Sequence, residues 1–183
     1  MILENAFEFK EYLGFVFDEM GYSGSFEIIG NAIHLNIITS DKQETPTKDQ
    51  VLEKVKEIKL KQKKQEIEKE INAICKEKIN KGFKSSVLGS DHAYNLTLED
   101  QTNLQALVIS DIDSVFRCAE VNNGVVGDKT YKNHTKAQIL QLSKEALNFK
   151  QKIIIFYGRE KERLNAITSL EALEKFEIKE YLT

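Results

Sequence analysis

The sequence has no tryptophan, one proline and two cysteines in 183 residues. With almost no proline to break them, long helices can run uninterrupted, and the lone Pro46 marks a place where a helix cannot continue. Cys75 and Cys118 lie far apart and neither has a CxxC partner. Each sits in an apolar-periodic stretch, which predicts buried structural thiols rather than a redox pair. The first residues, Met1-Ile2-Leu3-Glu4-Asn5, lack a basic segment followed by an apolar one, so no signal peptide is expected. No apolar run approaches the roughly 18 residues of a membrane span; the best, Ile153-Ile154-Ile155-Phe156-Tyr157, is short. Extreme charge is also missing. A net charge of −3, with 41% hydrophobic and 30% charged residues, excludes a basic nucleic-acid coat, a strongly acidic mimic of one and a fully disordered chain.

The chain is instead rich in periodic patterns. Phe9, Leu13, Val16, Phe17 and Met20 recur at helical spacing and predict a helix over 4–20, with Gly21 at its C-terminal cap. Gly30-Asn31 between two β-rich runs predicts a hairpin of residues 25–29 and 32–38 with a type II′ turn. That turn places Phe26 opposite Leu35 and Ile28 opposite Ile33 on an apolar face, and Glu27 opposite His34 on a polar one. Residues 1–38 thus read as a helix–hairpin module. The polar stretch 39–47, containing Pro46, reads as a linker, with Thr45 or Thr47 capping the next helix.

Neither glycine nor proline occurs over residues 48–80, which predict one helix of roughly 50 Å. Val51, Val55 and Ile58 form one seam; Ile67, Ile71 and Ile74 form another; the segment Lys59–Gln65 between them is nearly all polar. Such a helix bridges two modules or pairs with a second copy as an interrupted coiled coil, and the broken heptad favours the bridge. From Glu53 to Lys81 it carries ten lysines against six glutamates. The lysines are interleaved with glutamates and lack arginines or aromatic platforms, so a solvated face is favoured over a nucleic-acid surface.

Residues 81–183 read as a helical domain with one hairpin. The hairpin, Gly82–Leu96, turns at Gly89-Ser90 and pairs Phe83 with Leu96, Ser85 with Tyr94 and Val87 with His92. A helix capped by Thr97 continues through Leu104, Leu107, Val108, Ile112, Val115 and Phe116 to about Ala119. Asn122-Asn123-Gly124 and Gly127-Asp128-Lys129 signal loops, with a short strand at Thr130-Tyr131. A helix capped by Thr135 covers 136–163 through Ile139, Leu142, Ala146, Phe149, Ile153, Phe156 and Tyr157. A short helix over 170–176 comes after a Thr168-Ser169-Leu170-Glu171 capping box.

Chemistry has little foothold. His34, His92 and His134 are scattered without HxxxH or HExxH spacing. Asp111 and Asp113 do not share a helix face at i,i+2. No phosphate-binding glycine loop, GxSxG or CxxC occurs, and Ser85 and Ser86 have no local activating partner. No catalytic residue, metal site or cofactor is expected. The residues read as an interaction surface are Phe26, Ile28, Ile33 and Leu35 of the first hairpin with Val51, Val55, Ile58, Ile67, Ile71 and Ile74 of the long helix.

Several stretches of residues 72–177 form an ordered set: Lys78-Ile79-Asn80-Lys81-Gly82-Phe83, the hairpin with Gly89 and Tyr94, and Leu98-Glu99-Asp100-Gln101-Thr102-Asn103-Leu104. Tyr131 then stands at an aromatic strand position, and the set closes with Leu164-Asn165-Ala166-Ile167-Thr168-Ser169-Leu170-Glu171-Ala172-Leu173. In that order they resemble a phage and prophage family catalogued as a domain of unknown function, whose members are labelled tail-fibre or tail-fibre-assembly proteins. At the position of Tyr131 that family usually has tryptophan. The resemblance implies a tail-associated protein acting by contact with a phage tail or fibre protein, in the host bacterial cytoplasm or the virion. Its motifs are turns, caps and stripes, and carry no catalytic residues. The expectation is therefore an α+β, mainly helical, non-enzymatic protein, with a homo-oligomer along the connector helix as a further option, no membrane partner, and nucleic acid disfavoured as one. The rival readings are a phage-encoded effector that binds a host protein in defence or regulation, and a weak nucleic-acid binder that uses the lysine-rich helix.

Overall fold

The computed structural model describes residues 1–4, 7–38 and 44–182. The chain divides into two compact units, one of residues 1–67 and 164–177, the other of residues 68–163 and 178–183.

The first unit contains β1 (Ile2–Glu4), a 3-10 turn (Phe7–Tyr12), α1 (Leu13–Met20), β2 (Ser23–Ile29), β3 (Ala32–Ile38) and the opening turns of α2 (Lys48–Lys81). Its three strands form an antiparallel sheet in the order β1-β3-β2. The hairpin register is the expected one: Phe26 faces Leu35, Glu27 faces His34 and Ile28 faces Ile33. Gly30 carries the positive φ, 63°, that the first central residue of a II′ turn requires. Gly21 ends α1 in the left-handed region.

The predicted helix over 4–20 needs correcting at its start. Residues 2–4 are extended and pair with β3, setting Leu3 opposite Ile33. Burial of Leu3 on the sheet competes with helix propensity there, and α1 begins only at Leu13. Leu3, Leu13, Val16, Phe17, Ile33, Leu35, Val51, Val55 and Ile58 pack into one core. The expected linker over 39–47 lies partly outside the described residues; Pro46, just before α2, is buried. Thr47 caps α2: its Oγ1 accepts from the Gln50 N–H, and the Gln50 side chain accepts from the Thr47 N–H.

The second unit overturns the mainly helical expectation. The chain is 54% helix and 24% strand, and this unit holds a four-stranded antiparallel sheet rather than one hairpin among helices. Its strands are β4 (Phe83–Ser85), β5 (His92–Tyr94), β6 (Ser114–Asn122) and β7 (Val125–His134), in the order β4-β5-β6-β7. They combine with the end of α2, with α3 (Leu98–Ser110) and with α4 (Lys136–Asn165).

Two local causes account for the difference. The helix begun by Thr97 stops at Ser110, where Asp111 takes φ 48° and turns the chain out of the α region. Beyond it, exposed Val115 and Arg117 alternate with buried Phe116 and Cys118, a period of two concealed within an apolar stretch. Asn123 and Gly124 both have positive φ, 50° and 81°, so the expected loop is a tight I′-like hairpin turn. It launches a ten-residue strand that includes Gly127, Asp128 and Lys129.

The second hairpin also pairs two positions away from the expected register: Phe83 faces Tyr94 and Ser85 faces His92. The loop is wider than two residues. It is closed by a Ser86 Oγ–Asp91 Oδ1 hydrogen bond of 2.5 Å and a Gly89 N–H to Ser86 carbonyl bond of 2.9 Å. An even shift leaves every side chain on its predicted face. A last helix, α5 (Leu170–Glu174), belongs to the first unit and is capped by the Ser169 hydroxyl, which accepts from Ala172 N–H.

Candidate functional site

The residues expected to form an interaction surface fall into three groups. Ile33, Leu35, Val51, Val55 and Ile58 lie in the core of the first unit, and Ile71 is buried in the second. Ile67 and Ile74 are half-buried. Phe26 and Ile28 are 41% and 38% exposed although they share a sheet face with buried Leu35 and Ile33. They sit on β2, an edge strand whose outer hydrogen-bonding side has no strand beside it among the described residues. Natural edges are blunted by lysine, proline or brevity; β2 has seven residues, neither lysine nor proline, and a single charge at Glu27.

In the second unit an aromatic stack runs through the sheet. Phe83 stacks on Tyr94 and Phe149 with centroids 5.9 and 5.6 Å apart, and Tyr94 stacks on Phe116. His134 stands edge-on to Tyr94 and Phe116. Its Nδ1–H donates to the Lys132 carbonyl at 2.8 Å. Nε2 is therefore the lone-pair nitrogen, and it accepts a hydrogen bond from the Tyr94 hydroxyl at 2.9 Å. Burial pushes the Tyr94 hydroxyl and the neighbouring Cys118 thiol upward and lowers His134, so all three are held neutral. The cluster is sealed and has the character of a satisfied polar core. Buried His92 donates its Nδ1–H to the Ser90 carbonyl, 2.8 Å away. Among the described residues no group of three or more His, Cys, Asp or Glu is placed to hold a metal.

A cleft of about 750 Å³ lies in the same unit. Phe83 and Phe149 are half-buried in its lining, Tyr181 lines it too, and Lys81, Lys84, Lys152, Glu145 and Asn148 supply its polar groups. Gly82 belongs to its wall at φ 82°, and a Cβ there would stand 1.7 Å from the Tyr94 carbonyl oxygen, so this backbone crossing tolerates only glycine. Sequence reasoning placed Phe149 on a helical stripe and Phe83 on a hairpin, without signalling that they converge. The residues are far apart in the chain, and the lysines have no local motif.

The lysines of α2 are largely tied within their own units. Lys54 and Lys61 pair with Glu19, Lys63 with Glu174, Lys78 with Glu180 and Lys81 with Glu77. Lys64 donates to the Asn165 carbonyl. Among the described residues no helix is long and apolar enough to cross a membrane.

A family profile, described as Domain of unknown function (DUF4376), matches residues 62–179, more than half of the chain. The chain belongs to the DUF4376 family. No curated protein and no solved structure matches it. The DUF4376 region contains β4–β7, α3, α4 and α5, and with them the aromatic stack and most of the cleft lining. The β1–β3 sheet, with its exposed β2 edge, lies outside it.

Proposed function

We propose that the chain works by protein–protein contact, as a phage or prophage tail-associated protein that assists a tail fibre or forms part of one. The observation that carries the contact reading is the β2 edge: seven residues of unblunted strand with Phe26, Ile28 and Ile29 exposed. An extended segment of a partner can add to such an edge through main-chain hydrogen bonds, with Phe26 and Ile28 supplying side-chain contact. The tail-fibre assignment rests on the resemblance of residues 72–177.

The test is co-expression with the fibre protein encoded beside it. The fibre is expected to fold, trimerise and co-elute with the wild-type chain, and to fail with Phe26→Lys combined with Ile28→Lys. Circular dichroism of the double variant should match wild type, since both side chains are exposed. A fibre that folds and trimerises without the chain would end the assembly role, and neighbouring genes that encode no tail or fibre protein would overturn the reading. A stable complex with a host protein instead would favour the effector reading.

A further inference from the structure

We propose that the cleft bounded by Phe83, Phe149 and Tyr181 binds a small organic anion carrying a planar ring, the chemistry shared by nucleoside monophosphates and aromatic carboxylates. Its volume, about 750 Å³, is that of a ligand pocket rather than of a packing defect. Phe83 and Phe149 are already stacked on one another at 5.6 Å, and both are only half-buried. That leaves ring surface on which a planar group can stack. Stacking of a base on an aromatic side chain is strong enough to select ring-bearing ligands without reading their edges.

The rim supplies the sign of the charge. Lys81 is engaged by Glu77 at 2.7 Å. Lys84 and Lys152 have no ion-pair or hydrogen-bond partner for their side-chain nitrogens among the described residues. Against them stands one carboxylate, Glu145, which accepts from the Gln141 amide at 2.8 Å. Two unengaged ammoniums outweigh one engaged carboxylate, so the lining favours an anion. Asn148 adds an amide that can donate to or accept from a ring substituent. The rigid side of the site is the Gly82 crossing against the Tyr94–Asn95 backbone, which fixes Phe83 where the cleft needs it. The inference concerns the DUF4376 region and is independent of the β2 edge.

Calorimetric titration of the full-length chain separates the ring from the charge. The probes are adenosine monophosphate and 1-naphthoate, with adenosine, naphthalene methanol and inorganic phosphate as partial ligands. A ring-bearing anion is expected to bind at least about tenfold more tightly than its uncharged analogue or phosphate alone, the size of one charge-assisted contact. Lys84→Gln with Lys152→Gln should remove that advantage, while Phe149→Leu should weaken both ring-bearing forms. Preference for the phosphate or for the carboxylate identifies the ligand source. Inorganic phosphate binding as tightly as the ring-bearing anions, undiminished binding in the double lysine variant, or no binding of any ring-bearing anion would each overturn the proposal. Phe26→Lys with Ile28→Lys should bind the probes as wild type does, so failure of the contact reading leaves this result untouched.

Discussion

At the scale of single residues, the second unit buries polar groups that are satisfied by one another. His134 is 1% exposed and accepts a hydrogen bond from the Tyr94 hydroxyl on its lone-pair nitrogen. Burial lowers its pKa from the ordinary 6.5, and the neighbouring His92 acts in the same direction. The unfolded chain therefore takes up a proton near pH 6.5 that the folded chain refuses until lower pH. This contribution to stability is complete above pH 6.5 and is lost as pH falls from there through the folded value, with a slope of up to about 1.4 kcal/mol per pH unit. Urea denaturation between pH 7.5 and 5 should show the decline, and His134→Gln should remove that component of it. A pH-independent midpoint in the wild type would count against the assignment. Gly82 makes a different demand. Gly82→Ala adds a Cβ at left-handed φ and against the Tyr94 carbonyl, and is expected to cost about 2 kcal/mol or more, read from the urea midpoint.

At the scale of elements, what decides each outcome is whether local signals agree with the tertiary partner. The first hairpin was legible because turn residue, alternation and register all point the same way around Gly30-Asn31. The caps of α3 and α4 at Thr97 and Thr135 were legible, and that of α2 was narrowed to Thr45 or Thr47, because a side-chain hydroxyl three residues from a bonding partner is a local device. Strands β1 and β6 were not. Leu3 is extended because Ile33 lies opposite it, a pairing that no window around Leu3 contains. Val115 and Phe116 continue a helical stripe as well as they open a strand, and the break is made by Asp111. The cleft was illegible for the same reason: Phe83 and Phe149 converge only once α4 packs on the sheet. The Asn123-Gly124 turn is the element most open to test. Gly124→Ala places a Cβ at φ 81° and should cost about 1 kcal/mol, with amide exchange accelerating first in β6 and β7. Equal acceleration throughout the unit would show that the turn does not set the local stability of that hairpin.

For the whole molecule, the near-neutral total charge conceals an arrangement. The lysine excess of α2 is met by acids drawn from other elements of each unit: Glu19 and Glu174 in the first, Glu180 in the second. Such exposed pairs contribute little stability individually, but they flatten the field that a nucleic acid would sense. Duplex DNA binding is accordingly expected to be weak and to vanish near 0.15 M salt in a titration. Each unit has buried apolar residues of its own: Val51, Val55 and Ile58 in the first, Tyr94, Phe116, Ile139 and Leu142 in the second. Damage to the core around Val55 is expected to lower local stability where it occurs. Val55→Ala removes two methyls from a fully buried site and should cost about 2 kcal/mol. Hydrogen exchange should then accelerate in α1, β2 and β3 while β4–β7 keep their protection. If both sheets lose protection equally, α2 couples the units into one cooperative fold, and a contact made at the β2 edge can be felt at the cleft.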